Sequence, residues 1–203
     1  MGRLQEKDLK ISQKKEQNGF EDGGMLLSQV MQQPQERIVY LSGEVNEHTI
    51  GMVIAQLISL ANTNKEQPID LIVSTYGGSV DEMFSLYDVI KYLPCPIRTL
   101  GLGKVMSAGV LLLASGAKGE RRIGRRARIM VHAIHGHSAG TVFDQDNELE
   151  ETKRMQRSMV ECLIKETSMS KEEVEKIMLS RQDYYIDAEK ALQLGIVDKI
   201  IGS

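Results

Sequence analysis

Three short segments hold side chains suited to acyl chemistry: Met106-Ser107-Ala108-Gly109, Arg128-Ile129-Met130-Val131-His132 and Gln182-Asp183. A serine hydroxyl is a poor nucleophile near neutral pH. An imidazole that takes its proton makes it useful, and a carboxylate that holds the imidazole in one tautomer completes the device. Ser107, His132 and Asp183 supply those three groups in that order along the chain. If folding brings them together, the expected chemistry is cleavage of acyl bonds.

A fourth segment, Tyr76-Gly77-Gly78-Ser79, lies between a strand-like run and a helix-like run. Paired glycines there let the backbone turn sharply and expose N–H groups at a helix N-terminus, where a developing oxyanion can be stabilised. A plain strand-to-helix turn fits the same residues. No Gly-Lys-Ser or Gly-Lys-Thr follows, which disfavours a phosphate loop.

Each chemical reading has a structural rival. Ser107 opens an apolar stretch and would serve as a helix N-cap. It is not in a Gly-x-Ser-x-Gly elbow, since Val105 stands where the first glycine would be. His132 would be a satisfied residue at a strand end. With His135 and His137 it forms His-x-x-His-x-His, a spacing that matches no standard zinc pattern. Asp183 would be a turn or cap residue. Lys104 lies near Ser107 and keeps a Ser-Lys pair open.

The elements that must position these residues alternate between strand and helix patterns. Arg37–Leu41 reads as a short strand closed by Ser42-Gly43. Asn46 or Thr49 would cap a helix over 50–62, where Ile50, Val53, Ile54 and Leu57 recur at helical spacing. Ile69–Ser74 is a strand, Tyr76-Gly77-Gly78 a tight turn, and a helix runs to about Tyr92. Ile97–Leu102 is a strand, Ser107–Ser115 an apolar helix, and Ile129–Ile134 a fifth strand. A long helix from about Phe143 to Glu166 is acidic early and basic later, which suits the helix macrodipole. Ser170 and Glu173 form a capping-box pattern for a helix over 171–180. Tyr184–Ile186 is a strand, Asp187 caps Ala188–Leu194, and Gly195 ends it. The alternation predicts an α/β fold around a mostly parallel sheet. Met25–Met31 suits a short helix, and the polar residues before it read as a mobile arm.

Composition sets the outer bounds. The 203 residues suffice for one domain with a substantial core. A net charge of −3 gives no hint of nucleic-acid binding. With no Trp and 11 Met, the core must be mostly aliphatic. Cys95 and Cys162 have no metal or redox spacing and read as free thiols in a reducing compartment. No apolar run approaches the ~20 residues a bilayer requires, and no apolar h-region is found near the start. A cytoplasmic protein is expected.

Together the motifs resemble one family, the ClpP proteolytic subunits of the Clp proteases, from about Gln35 to Ile200. Arg37-Ile38-Val39-Tyr40-Leu41-Ser42-Gly43 is similar to that family's first strand. Ser74-Thr75-Tyr76-Gly77-Gly78-Ser79-Val80 is similar to its Asn-Ser-Pro-Gly-Gly-Ser-Val segment. Ser107-Ala108-Gly109 lies where the family has Ser-Met-Gly, and Ala114-Ser115-Gly116-Ala117-Lys118-Gly119 continues in register. Arg128–His132 matches its Arg-x-Met-x-His, 25 residues separate Ser107 from His132, and Ala188-Glu189-Lys190-Ala191 with Gly195-Ile196-Val197-Asp198 matches its C-terminal signature. Tyr76 replaces a proline and Ala108 a methionine, and both retain the backbone N–H. Tyr184 stands where the family often has an arginine that helps join rings.

The resemblance implies a ClpP/crotonase-type α/β fold, a spiral of β-β-α units. It implies an axial arm over 1–24, one peptidase domain over 25–203, and a handle helix at about 141–168. It makes Ser107 the nucleophile, His132 the base and Asp183 the orienting carboxylate, with the Gly78 and Ala108 N–H groups as oxyanion hole. No metal or organic cofactor is expected, and ATP is used by the partner. Implied partners are further copies of the chain in two stacked heptameric rings, an AAA+ unfoldase such as ClpX, ClpA or ClpC, and unfolded polypeptides. Neither nucleic acid nor membrane is expected as a partner.

Asp70, Ile72 and Arg122 occupy positions where the family often carries aromatics for the unfoldase, while Tyr92 keeps one nearby. Weak or altered docking is the resulting expectation. The run Arg121, Arg122, Arg125, Arg126 and Arg128 fits a solvated face, a set of interface ion pairs or an acidic-partner site. The rival functions are a catalytically silent ring subunit and a crotonase-fold acyl-CoA enzyme.

Overall fold

The computed structural model describes residues 36–136, 138–180 and 182–202. The expected arm over 1–24 and the helix at Met25–Met31 lie outside them. Seven strands form one sheet among the described residues. β1 (Ile38–Val45), β2 (Ile69–Gly78), β3 (Ile97–Met106), β4 (Arg122–Gly124) and β7 (Lys199–Ile201) are parallel and adjacent in that order. β5 (Arg128–Val131) pairs parallel with the end of β3, and β6 (Tyr184–Ile186) runs antiparallel to β5.

β2 alternates as a half-buried strand should. Ile69, Leu71 and Val73 are fully buried, whereas Asp70, Ile72 and Ser74 face the other way and are partly exposed. The buried row packs with α1 (Glu47–Thr63), α2 (Val80–Tyr92) and α3 (Ala108–Ala114) in one core. In α1 the inward residues are Ile50, Val53, Leu57 and Ala61. Fully burying each of the larger ones stabilises by roughly 1.5–3 kcal/mol before ordering entropy is charged. Asn46 and Thr49 both take part in the start of α1, each bonding the other's backbone N–H in a capping box.

β3 is the strand that directs the site. Its register against β2 runs Val73↔Gly101 and then Thr75↔Val105, so β3 carries extra residues there. Gly103 lies at this bulge with φ +64, a conformation glycine adopts without a Cβ clash. The bend splits the sheet. Leu100 and Gly101 stay beside β4, while Lys104–Met106 leave with β5.

Several local expectations are corrected. Tyr76-Gly77-Gly78 is not a turn. Gly77 and Gly78 are still strand, in register with Glu44 and Val45 of β1, and α2 begins only after the N-cap Ser79. β3 runs on to Met106. β5 stops at Val131, short of Ile134. The three-residue β4 was not expected and breaks strict alternation, because it has one buried side chain and no period to read.

The C-terminal elements follow their signals. α4 (Val142–Glu166) is capped by Thr141 and Asp144, and α5 (Lys171–Met178) by Ser170 and Glu173, each reciprocally. Asp187 caps α6 (Ala188–Gln193), and Gly195 follows with φ +65. Residues 142–151 of α4 are all exposed, Phe143 at 79%. Its far end is buried through Met159, Val160, Leu163 and Glu166.

The arginine run is not one solvated face. Arg121 is buried and paired with Asp198, Arg122 is paired with Asp70, and Arg125 with Glu189. Arg126 and Arg128 are exposed.

Candidate active site

Ser107 sits where β3 meets α3. Its φ is 54° and ψ −121°, and it is the one non-glycine residue with positive φ among the described residues. Such a conformation costs on the order of 1–3 kcal/mol and is held by its surroundings. The surroundings are explicit. The Ser107 N–H donates to the Met130 carbonyl of β5 at 2.8 Å, and the Ser107 carbonyl accepts from Val110 N–H at 3.0 Å. Behind it, every residue of α3 is buried. A Cβ on Gly109 would lie 2.6 Å from Thr75 Cγ2, so the helix packs onto β2 at glycine distance.

Ser107 stands at the N-cap position of α3 but does not cap it through its hydroxyl. Among the described residues its hydroxyl makes no hydrogen bond, and the residue lines a cleft. Ala108 is the first helical residue, where helix geometry gives the N–H no intrahelical acceptor.

The two glycines make room for this corner. A Cβ on Gly77 would lie 2.6 Å from Ser107 Cβ, and one on Gly78 would lie 2.2 Å from the Val45 carbonyl oxygen. Gly77 N–H donates to Thr75 Oγ1 at 2.9 Å, and Ser79 N–H to Val45 O at 2.8 Å. The end of β2 is thus pinned against β1 while its inner edge touches Ser107.

His132 follows β5 directly. Its Nδ1 lies 2.5 Å from the Ala133 carbonyl oxygen. A carbonyl only accepts, so this contact requires the proton on Nδ1 and leaves Nε2 as the acceptor. That is the tautomer a general base needs toward a serine. The His135 ring stands beside it, centroids 4.3 Å apart and tilted by 39°.

Ser107, Ala108, Gly78, Tyr76 and His132 line one cleft, walled by aliphatic and methionine side chains that include Met83, Met159 and Met178. Asp183 lines an adjoining cleft whose wall also includes His132, His135 and Gln156. No hydrogen bond joins Asp183 to His132 or His132 to Ser107. The structure therefore brings Ser107, His132 and the two predicted N–H donors to one cavity. Asp183 lines a second cleft, which also includes His132.

The Ser-Lys alternative finds no support in the contacts of Lys104. Lys104 Nζ lies 5.0 Å from the Tyr76 ring centre and 3.5 Å from Ser74 Oγ, and it makes no hydrogen bond to Ser107. Burial, as the largest influence, raises the Cys162 thiol above its ordinary pKa, which opposes a nucleophilic thiolate. His137 of the His-x-x-His-x-His run lies outside the described residues, and among those described no three His, Cys, Asp or Glu side chains are grouped as metal ligands. Sequence reasoning missed the methionine lining and Gln156. Neither carries a local signal, since both come from helices distant in sequence.

No helix among the described residues is long and apolar enough to cross a membrane. The parallel sheet with its interleaved helices is the ClpP-like arrangement that the motifs implied. The family model for the Clp protease matches residues 23–203, and the chain belongs to that family.

Proposed function

We propose that this chain is a serine endopeptidase subunit that hydrolyses unfolded polypeptides to short peptides inside a ring-shaped chamber. The observation that carries the reading is Ser107. It combines the one strained non-glycine backbone among the described residues with an unspent hydroxyl in the His132 cleft.

Ser107 Oγ attacks the scissile carbonyl carbon while its proton passes to His132 Nε2. The carbonyl oxygen takes the negative charge and meets the Gly78 and Ala108 N–H groups, aimed at where charge develops. Collapse returns the His132 proton to the departing amine, leaving an acyl-serine. Water repeats the sequence and frees the acid. In the working state Asp183 replaces Ala133 O as acceptor of the Nδ1 proton, and their shared cleft makes that exchange a local one. No metal or cofactor enters any step.

Assembly is part of the proposal. Parallel sheets are ordinarily covered on both faces. Here the face opposite the helices exposes Ile38, Tyr40 and Leu102 among the described residues. Neighbouring copies in a heptameric ring would cover such a face. The exposed Val142, Phe143 and Leu149 of α4 suit contact between two rings. An AAA+ unfoldase would deliver substrate. On the open face Asp70 accepts from Arg98 Nε at 3.0 Å and also pairs with Arg122. This charge cluster supports weak or altered docking, and ordinary tight binding to ClpX or ClpA in a titration would sink that part.

The central test is fluorophosphonate labelling of the assembled protein with peptide mapping. Ser107 should be modified, and the modification should vanish in His132→Ala. No labelling of intact rings would overturn the reading in favour of a silent subunit. Lys104→Met should label within about twofold of wild type, in keeping with its contacts to Tyr76 and Ser74.

A further inference from the structure

We propose that Gln156 is a positioning residue for this site, one side-chain amide that sets the segment carrying His132 against the segment carrying Asp183. The inference rests on the peptidase reading of those two residues.

The geometry begins with two stranded backbone groups. β5 ends at Val131, so Ile134 N–H has left the ladder. It donates instead to Gln156 Oε1 at 2.7 Å. On the other side, Met178 is the last residue of α5, and its carbonyl is one of those a helix end leaves unpaired. Gln156 Nε2 donates to that carbonyl at 3.4 Å. Ile134 lies two residues after His132, and Met178 five before Asp183. The β5–β6 ladder joins the two segments up to Val131 and Tyr184, and beyond its end this one amide ties the loop after His132 to the end of α5, while the functional side chains themselves share no hydrogen bond.

The link sits at the site and not beside it. Gln156 lines the Asp183 cleft, Ile134 lines the Ser107 cleft, and Met178 lines both. The His132 ring contacts Ala133 O and His135, both on the loop that Ile134 belongs to. Ring position therefore follows the loop, and the loop is tethered to α4 through Gln156. Only a group that both donates and accepts can hold the two ends. Glutamate retains the acceptor for Ile134 and loses the donor for Met178. Leucine loses both.

The test uses the full-length assembled protein as wild type, Gln156→Leu and Gln156→Glu. Steady-state turnover of a fluorogenic peptide, the fluorophosphonate labelling rate of Ser107 and amide hydrogen exchange at Ile134 are followed together. In Q156L, kcat should fall by up to about 100-fold, the scale of a 1 Å misplacement. KM and the urea midpoint should stay near wild type, and labelling should slow in parallel. Q156E should recover part of kcat. Exchange at Ile134 should quicken in Q156L and stay slow in Q156E. Wild-type kcat in Q156L would overturn the proposal. So would a loss that follows lowered stability and is not recovered in Q156E. A wild-type protein that fails to label defeats the peptidase reading instead, and unaltered Ile134 exchange in Q156L would then defeat the tether as well.

Discussion

Two polar clusters in this chain are built on opposite plans. At the foot of α4, the Glu166 carboxylate accepts from Tyr87 Oη at 2.8 Å and Lys91 Nζ at 2.8 Å, with Lys118 Nζ at 3.6 Å. Its backbone carbonyl accepts from Arg121 Nη1 at 2.6 Å and from Lys118. Arg121 in turn grips Asp198 through Nε and Nη2. Glu166 is only 2% exposed, so an unpaired charge there would be costly. At the other cluster, Ser107, His132 and Asp183 make no hydrogen bonds to one another, and the Ser107 backbone is strained. A saturated cluster fixes position. An unsaturated one keeps its bonding capacity for a substrate, and the fold bears the cost elsewhere.

The sharpest way to break this contrast is to change the reacting group. Ser107→Ala should reduce turnover on the order of 10⁶-fold, about 8 kcal/mol of barrier, with a urea midpoint near wild type. Retained peptidase activity would mean that Ser107 is not the nucleophile. Glu166→Leu should do the reverse. It leaves Tyr87 and Lys91 without their carboxylate acceptor, while Arg121 keeps the backbone carbonyl, and breaking a buried pair costs about 3 kcal/mol. Thermal unfolding should fall markedly, while the folded assembly should keep its turnover within a few-fold. If stability held and activity vanished, the foot of α4 would belong to the site and the contrast would fail.

The same cluster gives a pH prediction. Burial alone would raise the Glu166 pKa, but hydrogen bonds from Lys91 and Tyr87 outweigh it and hold the group below its ordinary 4.5. The unfolded chain therefore binds this proton first as pH falls. Glu166 contributes its stability above pH 4.5 and loses it as pH drops through the depressed folded value. Asp198 is also lowered from 3.8, where bonds from Arg121 override desolvation, so its loss comes further into acid. A plot of urea midpoint against pH should fall below about 4.5 in wild type. Glu166→Gln should remove up to about 1.4 kcal/mol per pH unit from that slope, one proton's worth. An unchanged slope would mean that Glu166 does not titrate differently on folding.

How legible these regions were in the sequence follows from the range of their interactions. Ile50, Val53 and Leu57 announce α1 by spacing, and Ser170 with Glu173 announces α5, because both signals are local. Ser107, His132 and the glycine pair were legible as residue types in characteristic settings. The strand identity of Gly77 and Gly78 was not, since it depends on pairing with Glu44 and Val45. The Glu166 cluster joins Tyr87, Lys91, Lys118, Arg121 and Asp198 from three segments other than its own, and no local pattern encodes it. The same holds for Arg37. Its guanidinium bonds the carbonyls of Leu60, Asn64, Gln67 and Pro68 and so covers the end of α1, whose last turn has no basic residue of its own. Asp183 lies in a cleft that it shares with His132, but which group it bonds depends on where the His132 loop lies, and no local pattern fixes that.

The smallest expected effect tests the strain itself. Ser107 at φ 54° and ψ −121° holds a conformation that disfavours any residue with a Cβ. Ser107→Gly removes that cost, on the order of 1–3 kcal/mol. Against it stands the extra backbone freedom glycine gives the unfolded chain, roughly 0.5–1 kcal/mol. The balance favours the variant by about 1 kcal/mol, a rise of a few degrees in Tm for a chain of this size. Ser107→Ala keeps the Cβ and should show no such gain. Both variants lack the hydroxyl and should be equally inactive, so the pair separates strain from chemistry. If the glycine variant is no more stable than the alanine variant, the corner at Ser107 stores no strain, and the contrast between the two clusters reduces to hydrogen bonding alone.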